Sequence, residues 1–159
     1  MRITARGATG ATAAALLLGV LAAPSLGRCA PLLAYGIRWF YASACHQRPD
    51  RSFLLYGLPL AVCARCTGIY AGAIWGSLLR LRARVALNAC AAALALNCID
   101  VVSEMAGLHG NLPWLRFALG MALGAGCGAL LASANWELTA GNIQITDSSD
   151  VQLGELPSG

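Results

Sequence analysis

The stretch Cys63-Ala64-Arg65-Cys66-Thr67-Gly68-Ile69-Tyr70-Ala71-Gly72-Ala73-Ile74-Trp75-Gly76-Ser77-Leu78-Leu79 decides how this chain is read. Arg65 is its one charge, and its length approaches the roughly 20 apolar residues that cross a bilayer. At about 100° per residue, Cys63, Cys66, Thr67 and Tyr70 fall on one side of a helix, and Gly68, Gly72 and Gly76 fall on the other. A small-xxx-small stripe lets a second helix backbone approach closely. The segment therefore predicts a membrane helix whose packing side holds a reactive side in place.

The same character extends outward. Of the 159 residues, 58% are hydrophobic and 11% charged, against roughly 25% charged in an average soluble domain. The predicted fold class is all-α: an integral membrane helical bundle of about four transmembrane helices, an interfacial helix and a Cys/His loop. The expected crossings are 8–27, 63–79, 85–102 and 114–134. The last carries its own stripe, Gly120, Gly124 and Gly128. Residues 29–44 place Arg38 among Trp39, Phe40 and Tyr41, a mixture suited to the membrane–water interface. The organisation follows as 1–28, an N-terminal transmembrane helix or uncleaved signal anchor; 29–135, the membrane domain; and 136–159, a polar tail rich in Ser, Gly and Asn and expected to be disordered. Pro24 follows the best small-residue cleavage position and disfavours cleavage there, so the first helix is expected to be retained.

Charge sets the expected orientation. Arg2 and Arg6 precede the first helix, and Arg80, Arg82 and Arg84 fill the short link between the second and third. The positive-inside rule puts both on the cytoplasmic side of the inner membrane. The loop beginning at Cys45 then faces outward, together with the link at 103–113. Arg28, Arg38, Arg48 and Arg51 would lie outside too, which is compatible only if they are paired or buried. The arginines are dispersed and no aromatic-rich basic surface accompanies them, so nucleic acid is not expected as a partner. No nucleotide-binding loop, H-E-x-x-H helix or G-x-S-x-G elbow is present.

Seven cysteines are too many to be incidental in a short chain. Cys90, Cys98 and Cys127 lie in apolar segments and read as small buried hydrophobes. Cys45-His46 and Cys63-Ala64-Arg65-Cys66 are different, because reactive and polar groups placed in an apolar chain are costly without a purpose. The topology brings this loop to the same membrane face as Asp100 and Arg116. On the third helix, Cys90, Asn97, Asp100 and Glu104 share one quarter of the circumference. Asp100 and Arg116 are expected to form an ion pair.

Three chemistries suit these residues. Cys45, His46, Cys63 and Cys66 could hold a metal, zinc first and in a structural role, since Cys-x-x-Cys spacing lets two thiolates reach one ion. Adjacent Cys45 and His46 cannot easily both bind it, which leaves room for Asp100. The Cys-x-x-Cys pair, at a helix N-terminus beside Arg65, also suits thiol redox chemistry with Cys45 as resolving partner. A plain stabilising disulfide, in a structural or accessory membrane subunit, is the alternative. Finally, Arg48, Arg51, Arg65 and Arg116, with Ser52 as an added donor, could surround a small anion or the anionic headgroup of a membrane lipid. Tyr70, on the thiol side of its helix, completes the set of site candidates.

The two motifs Cys45-His46-Gln47…Pro49…Arg51-Ser52-Phe53 and Cys63-Ala64-Arg65-Cys66-Thr67-Gly68-Ile69-Tyr70-Ala71-Gly72 resemble those of a family of small prokaryotic membrane proteins known as a domain of unknown function. The resemblance continues through Ile99-Asp100, Asn111, Arg116 and Gly120 and covers roughly residues 35–130. It implies a multi-helix membrane domain and no particular activity.

Overall fold

The structure, a computed structural model, describes the backbone of residues 5–152 and the side chains of residues 6–133. Among these residues the chain forms α1 (Ala5–Cys29), α2 (Pro31–Ala42), a 3-10 turn at Pro49–Arg51, strands β1 (Leu54–Leu55) and β2 (Leu58–Pro59), α3 (Ala64–Leu78), α4 (Ala83–Met105) and α5 (Pro113–Gln152). It is the all-α membrane fold that composition predicts. Three segments, Arg6–Cys29, Ala83–Met105 and Pro113–Ser133, are long and apolar enough to cross a membrane. The helical backbone of α5 continues to Gln152; the rest of what was expected to be a polar tail lies outside the described residues.

The expected second crossing, α3, is shorter than a membrane span. Its 15 residues rise about 22 Å, against a hydrocarbon core of about 30 Å. The reason lies before its first turn. Leu60, Ala61 and Val62 continue the apolar run in non-helical backbone, and all three are buried. They pack with Val20 and Ala23 of α1 and Tyr41 of α2 in the main apolar core. Irregular backbone suits an apolar surrounding only where protein covers it, and here α1 and α2 supply the cover.

The two glycine stripes find each other. A Cβ at Gly68, Gly72 or Gly76 would collide with backbone of Phe117, Met121 or Ala125; a Cβ at Gly120, Gly124 or Gly128 would collide with the carbonyl of Arg65, Ile69 or Ala73. Each helix therefore presses its carbonyls into the other's glycines, four residues at a time. Residue numbers rise together along the contact, so α3 and α5 are parallel. The helix between them, α4, runs the opposite way: Asn97 donates to the Leu119 carbonyl at 3.0 Å, and Gly126 admits the backbone of Cys90.

At the other side of α3, Gly10 of α1 faces Ser77, so α1 and α3 are antiparallel. The helix expected at the interface, α2, doubles back along α1. The Tyr41 hydroxyl donates to the Leu16 carbonyl at 2.6 Å, and Gly19 leaves room for its ring. One end of the bundle thus collects the C-termini of α1 and α4, the N-termini of α3 and α5, and the loop 43–63. On α4 the apolar side chains Leu87, Leu94, Ile99 and Val102 are exposed, as a lipid-facing helix surface requires.

Candidate thiol and arginine site

The site begins where α2 ends. The Cys45 amide donates to the Tyr41 carbonyl at 2.9 Å, which turns the chain out of the helix. Gln47 then takes a left-handed conformation, φ 51°, unusual for a residue with a side chain. This folds its N–H back toward Cys45 Sγ at 3.5 Å. Its side-chain amide is anchored on the Arg38 carbonyl, and Arg38 in turn donates to the Pro59 carbonyl. Cys63, the N-cap of α3, donates its own N–H to Cys45 Sγ at 3.3 Å. The sulfurs of Cys45, Cys63 and Cys66 all lie within 4.8 Å of one another, and all three are free thiols. Hydrogen bonds from the Cys63 and Cys66 thiols, then from the two backbone N–H groups, hold the Cys45 thiol well below its ordinary range, against the effect of its burial. Donors converging on one sulfur favour the thiolate, the form that attacks or ligates.

The loop that leaves Cys45 is braced at three points. Tyr56 and Gly57 both have positive φ, 54° and 78°, which makes the two-residue turn that suits the twist of a hairpin. It joins β1 to β2 in the register Leu54↔Pro59 and Leu55↔Leu58. Phe53 stacks against Trp114 and Phe117 of α5, with centroids 4.8 and 5.7 Å away. Asn111, in the α4–α5 link, donates to the Asp50 carbonyl.

Between loop, α3 and α5 lies a cavity of about 340 Å³. Cys45, Cys63 and Cys66 form one part of its wall, and Arg48, Arg51, Arg65 and Arg116 another. Acidic groups stand behind the arginines. Arg65 pairs with Asp100, Arg116 with Glu104, Arg51 with Glu104 at 2.9 Å, and Arg48 with Asp50 at 3.3 Å. His109 Nε2 stands 3.7 Å from Asp100.

The expected Asp100–Arg116 pair is therefore corrected. The glycine contacts put Arg65 level with Gly120, about one turn deeper along α5 than Arg116. Asp100 is likewise one turn deeper along α4 than Glu104. Each arginine meets the carboxylate at its own height. Other expected members take other places. His46 is exposed on the cavity wall and is not part of the sulfur cluster. Ser52 donates to the Arg48 carbonyl at 2.9 Å and braces the loop. Tyr70 packs toward Tyr41, centroid to centroid 6.1 Å, under the thiols.

Residues 45–130 match the family described as "Predicted membrane protein (DUF2085)". The chain belongs to this family. It is also 35% identical over 91 residues to "Uncharacterized protein MJ1492" of Methanocaldococcus jannaschii, an alignment that covers 53% of this chain and 58% of that protein. A second relative, an "Uncharacterized protein" of Methanothermobacter thermautotrophicus, is 35% identical over 91 residues, covering 54% of this chain and 82% of its own length. The chain thus spans little more than half of the first relative. No solved structure matches.

The DUF2085 segment starts at Cys45 and contains every thiol, arginine and carboxylate of the site, while α1 and α2 lie before it. Glu104 shares a helical side with Asp100, as its spacing predicts, but its pairing with Arg116 and Arg51 has no signal in the sequence. Gln47 is the member that the sequence does not single out, because its contribution is a backbone N–H placed by a left-handed turn.

Proposed function

We propose that this DUF2085 protein holds one zinc-like metal ion on Cys45, Cys63 and Cys66, in an open site at one membrane face. The observation that carries this reading is the convergence of three unlinked sulfurs within 4.8 Å. Around a tetrahedral zinc with Zn–S near 2.3 Å, sulfurs lie about 3.8 Å apart, a small contraction from that spacing. Three protein ligands leave a fourth position, as in zinc sites that take water or substrate, whereas purely structural sites are closed by four. The fourth position would face the arginine-lined cavity, whose wall the same three cysteines share. His46 would stand beside the site as a polar group and not as a ligand.

The test is metal content. Protein purified in mild detergent without chelator is expected to carry about one zinc per chain, and Cys66→Ser and Cys45→Ser to carry almost none. His46→Ala is expected to retain it. A metal-free unmodified protein that also fails to take up added zinc would end this reading.

The same proposal places the protein in the cytoplasmic membrane with the site on the outer face. Arg80, Arg82 and Arg84 follow α3 at the end where Ser77 meets Gly10 of α1. The arginines at the opposite end are held: Arg28 donates to the Tyr56 carbonyl at 3.1 Å, and Arg51, Arg65 and Arg116 are ion-paired. Cys29 is exposed at that opposite end. A membrane-impermeant maleimide is expected to label Cys29 in intact spheroplasts; labelling only after lysis would invert the orientation.

A further inference from the structure

The cavity has a second set of donors that metal binding does not use. Arg116 is only 3% exposed and lines the cavity, yet its Nε has no hydrogen-bond partner. The Nε of Arg65 is also buried and without a hydrogen-bond partner, while that of Arg51 reaches only Asp50 Oδ2, at 3.8 Å. Burying such donors unpaired is costly, and guanidinium groups are shaped to grip tetrahedral and planar oxyanions in pairs. Around the cavity four arginines face three carboxylates, Asp50, Asp100 and Glu104, one guanidinium more than the carboxylates can pair singly. The N-cap residue of α3, Cys63, makes no capping bond with its own side chain, and the helix begins at the same wall, where it adds its positive dipole end.

We propose that Arg48, Arg51, Arg65 and Arg116 form a phosphate-binding site in this cavity, beside the three thiols. Arg116 and Arg65 form the inner part of the wall, each held by a carboxylate, and Arg48, more than half exposed, closes the site from the solvent side. Cys45 Sγ already receives the N–H groups of Cys63 and Gln47, which leaves the arginine donors to the ligand. A volume of about 340 Å³ exceeds that of one phosphate and admits the group esterified, so the phosphate can be free or part of a lipid headgroup. The acidic partners fix the arginines before the ligand arrives, a form of preorganisation that limits the entropy cost of binding. The inference stands on the arginines and does not require the metal.

Thermal unfolding and calorimetry of the detergent-solubilised protein test this with two probes, inorganic phosphate and short-chain phosphatidic acid. Chloride at equal ionic strength and short-chain phosphatidylcholine are the respective controls. At least one probe is expected to bind and to raise the unfolding midpoint above its control. Binding of both assigns the site to free or esterified phosphate, and binding of the lipid alone assigns it to headgroups. Arg48→Gln is exposed enough to fold normally and is expected to weaken binding about tenfold, the loss of one charge-assisted hydrogen bond. Arg116→Lys, which keeps the charge beside Glu104, is expected to weaken it at least as much. Failure of both probes against their controls, or unchanged affinity in both variants, overturns the proposal. The measurement is repeated on Cys66→Ser. Retained phosphate binding there leaves the arginine site standing whatever the zinc content, and lost binding makes phosphate a metal ligand and overturns the arginine assignment.

Discussion

Gly72→Leu is expected to destabilise the bundle by at least about 3 kcal/mol, at the upper end of what overpacking costs. The usual relief for an overpacked site is a shifted rotamer in the neighbour. None is available at this position, because the atoms a Cβ would meet are the backbone of Met121 and Ala125. The helices would have to separate, and the stripe on the other side would open with them, since Gly124 sits against the Ile69 carbonyl one contact away. Close parallel backbones also permit Cα–H···O contacts, each a modest contribution that separation would remove. Gly36 provides the control. It lies in α2 with open space where a Cβ would sit, so Gly36→Ala is expected to be neutral or to stabilise by up to about 1 kcal/mol through helix propensity. Unfolding midpoints followed by tryptophan fluorescence read both variants. Equal midpoints for Gly72→Leu and the unmodified protein would show that the interlock is not there. The consequence reaches the site, because this contact sets the height of Arg65 relative to α5.

Asp100→Leu is expected to cost about 3 kcal/mol, the lower end of the range for breaking a buried ion pair. Asp100 is nearly fully buried, 3% exposed at its side chain, while its partner Arg65 is 25% exposed. The variant strands the guanidinium in a wall whose other described carboxylates, Asp50 and Glu104, are paired with other arginines, and partial solvent access keeps the cost below the maximum. Replacing both partners tells the pair from the cavity. Asp100→Leu with Arg65→Met is expected to recover most of the loss, since a buried pair exchanged for apolar groups of similar volume is often neutral. A double variant as unstable as the single one would mean that Asp100 serves something other than Arg65, with His109 the first group to examine.

These two expectations divide along a line that runs through the whole molecule. The glycine stripes were readable because their spacing of four matches the helical repeat, and a stripe of missing side chains on an apolar helix has one main use. The membrane class was readable because scarcity of charge over long apolar runs leaves few other solvents for the chain. The Cys45–Cys66 motif was readable as a candidate site because thiols and arginines concentrate there against an apolar background.

What the sequence determined by itself was therefore periodic or compositional: an all-α membrane fold, two glycine faces, and the residue types gathered at one end. Tertiary structure alone decided which partner each charge received. Asp100 took Arg65 and Glu104 took Arg116, because the glycine interlock fixes the height of α3 against α5 to within a residue, and no local spacing reports that offset. The left-handed turn at Gln47 likewise joined Cys45 to Cys63 and Cys66 and left His46 aside. Periodicity acts within one helix, whereas a site assembled from a loop and three helices depends on how their axes slide past one another, and that is set by backbone contact.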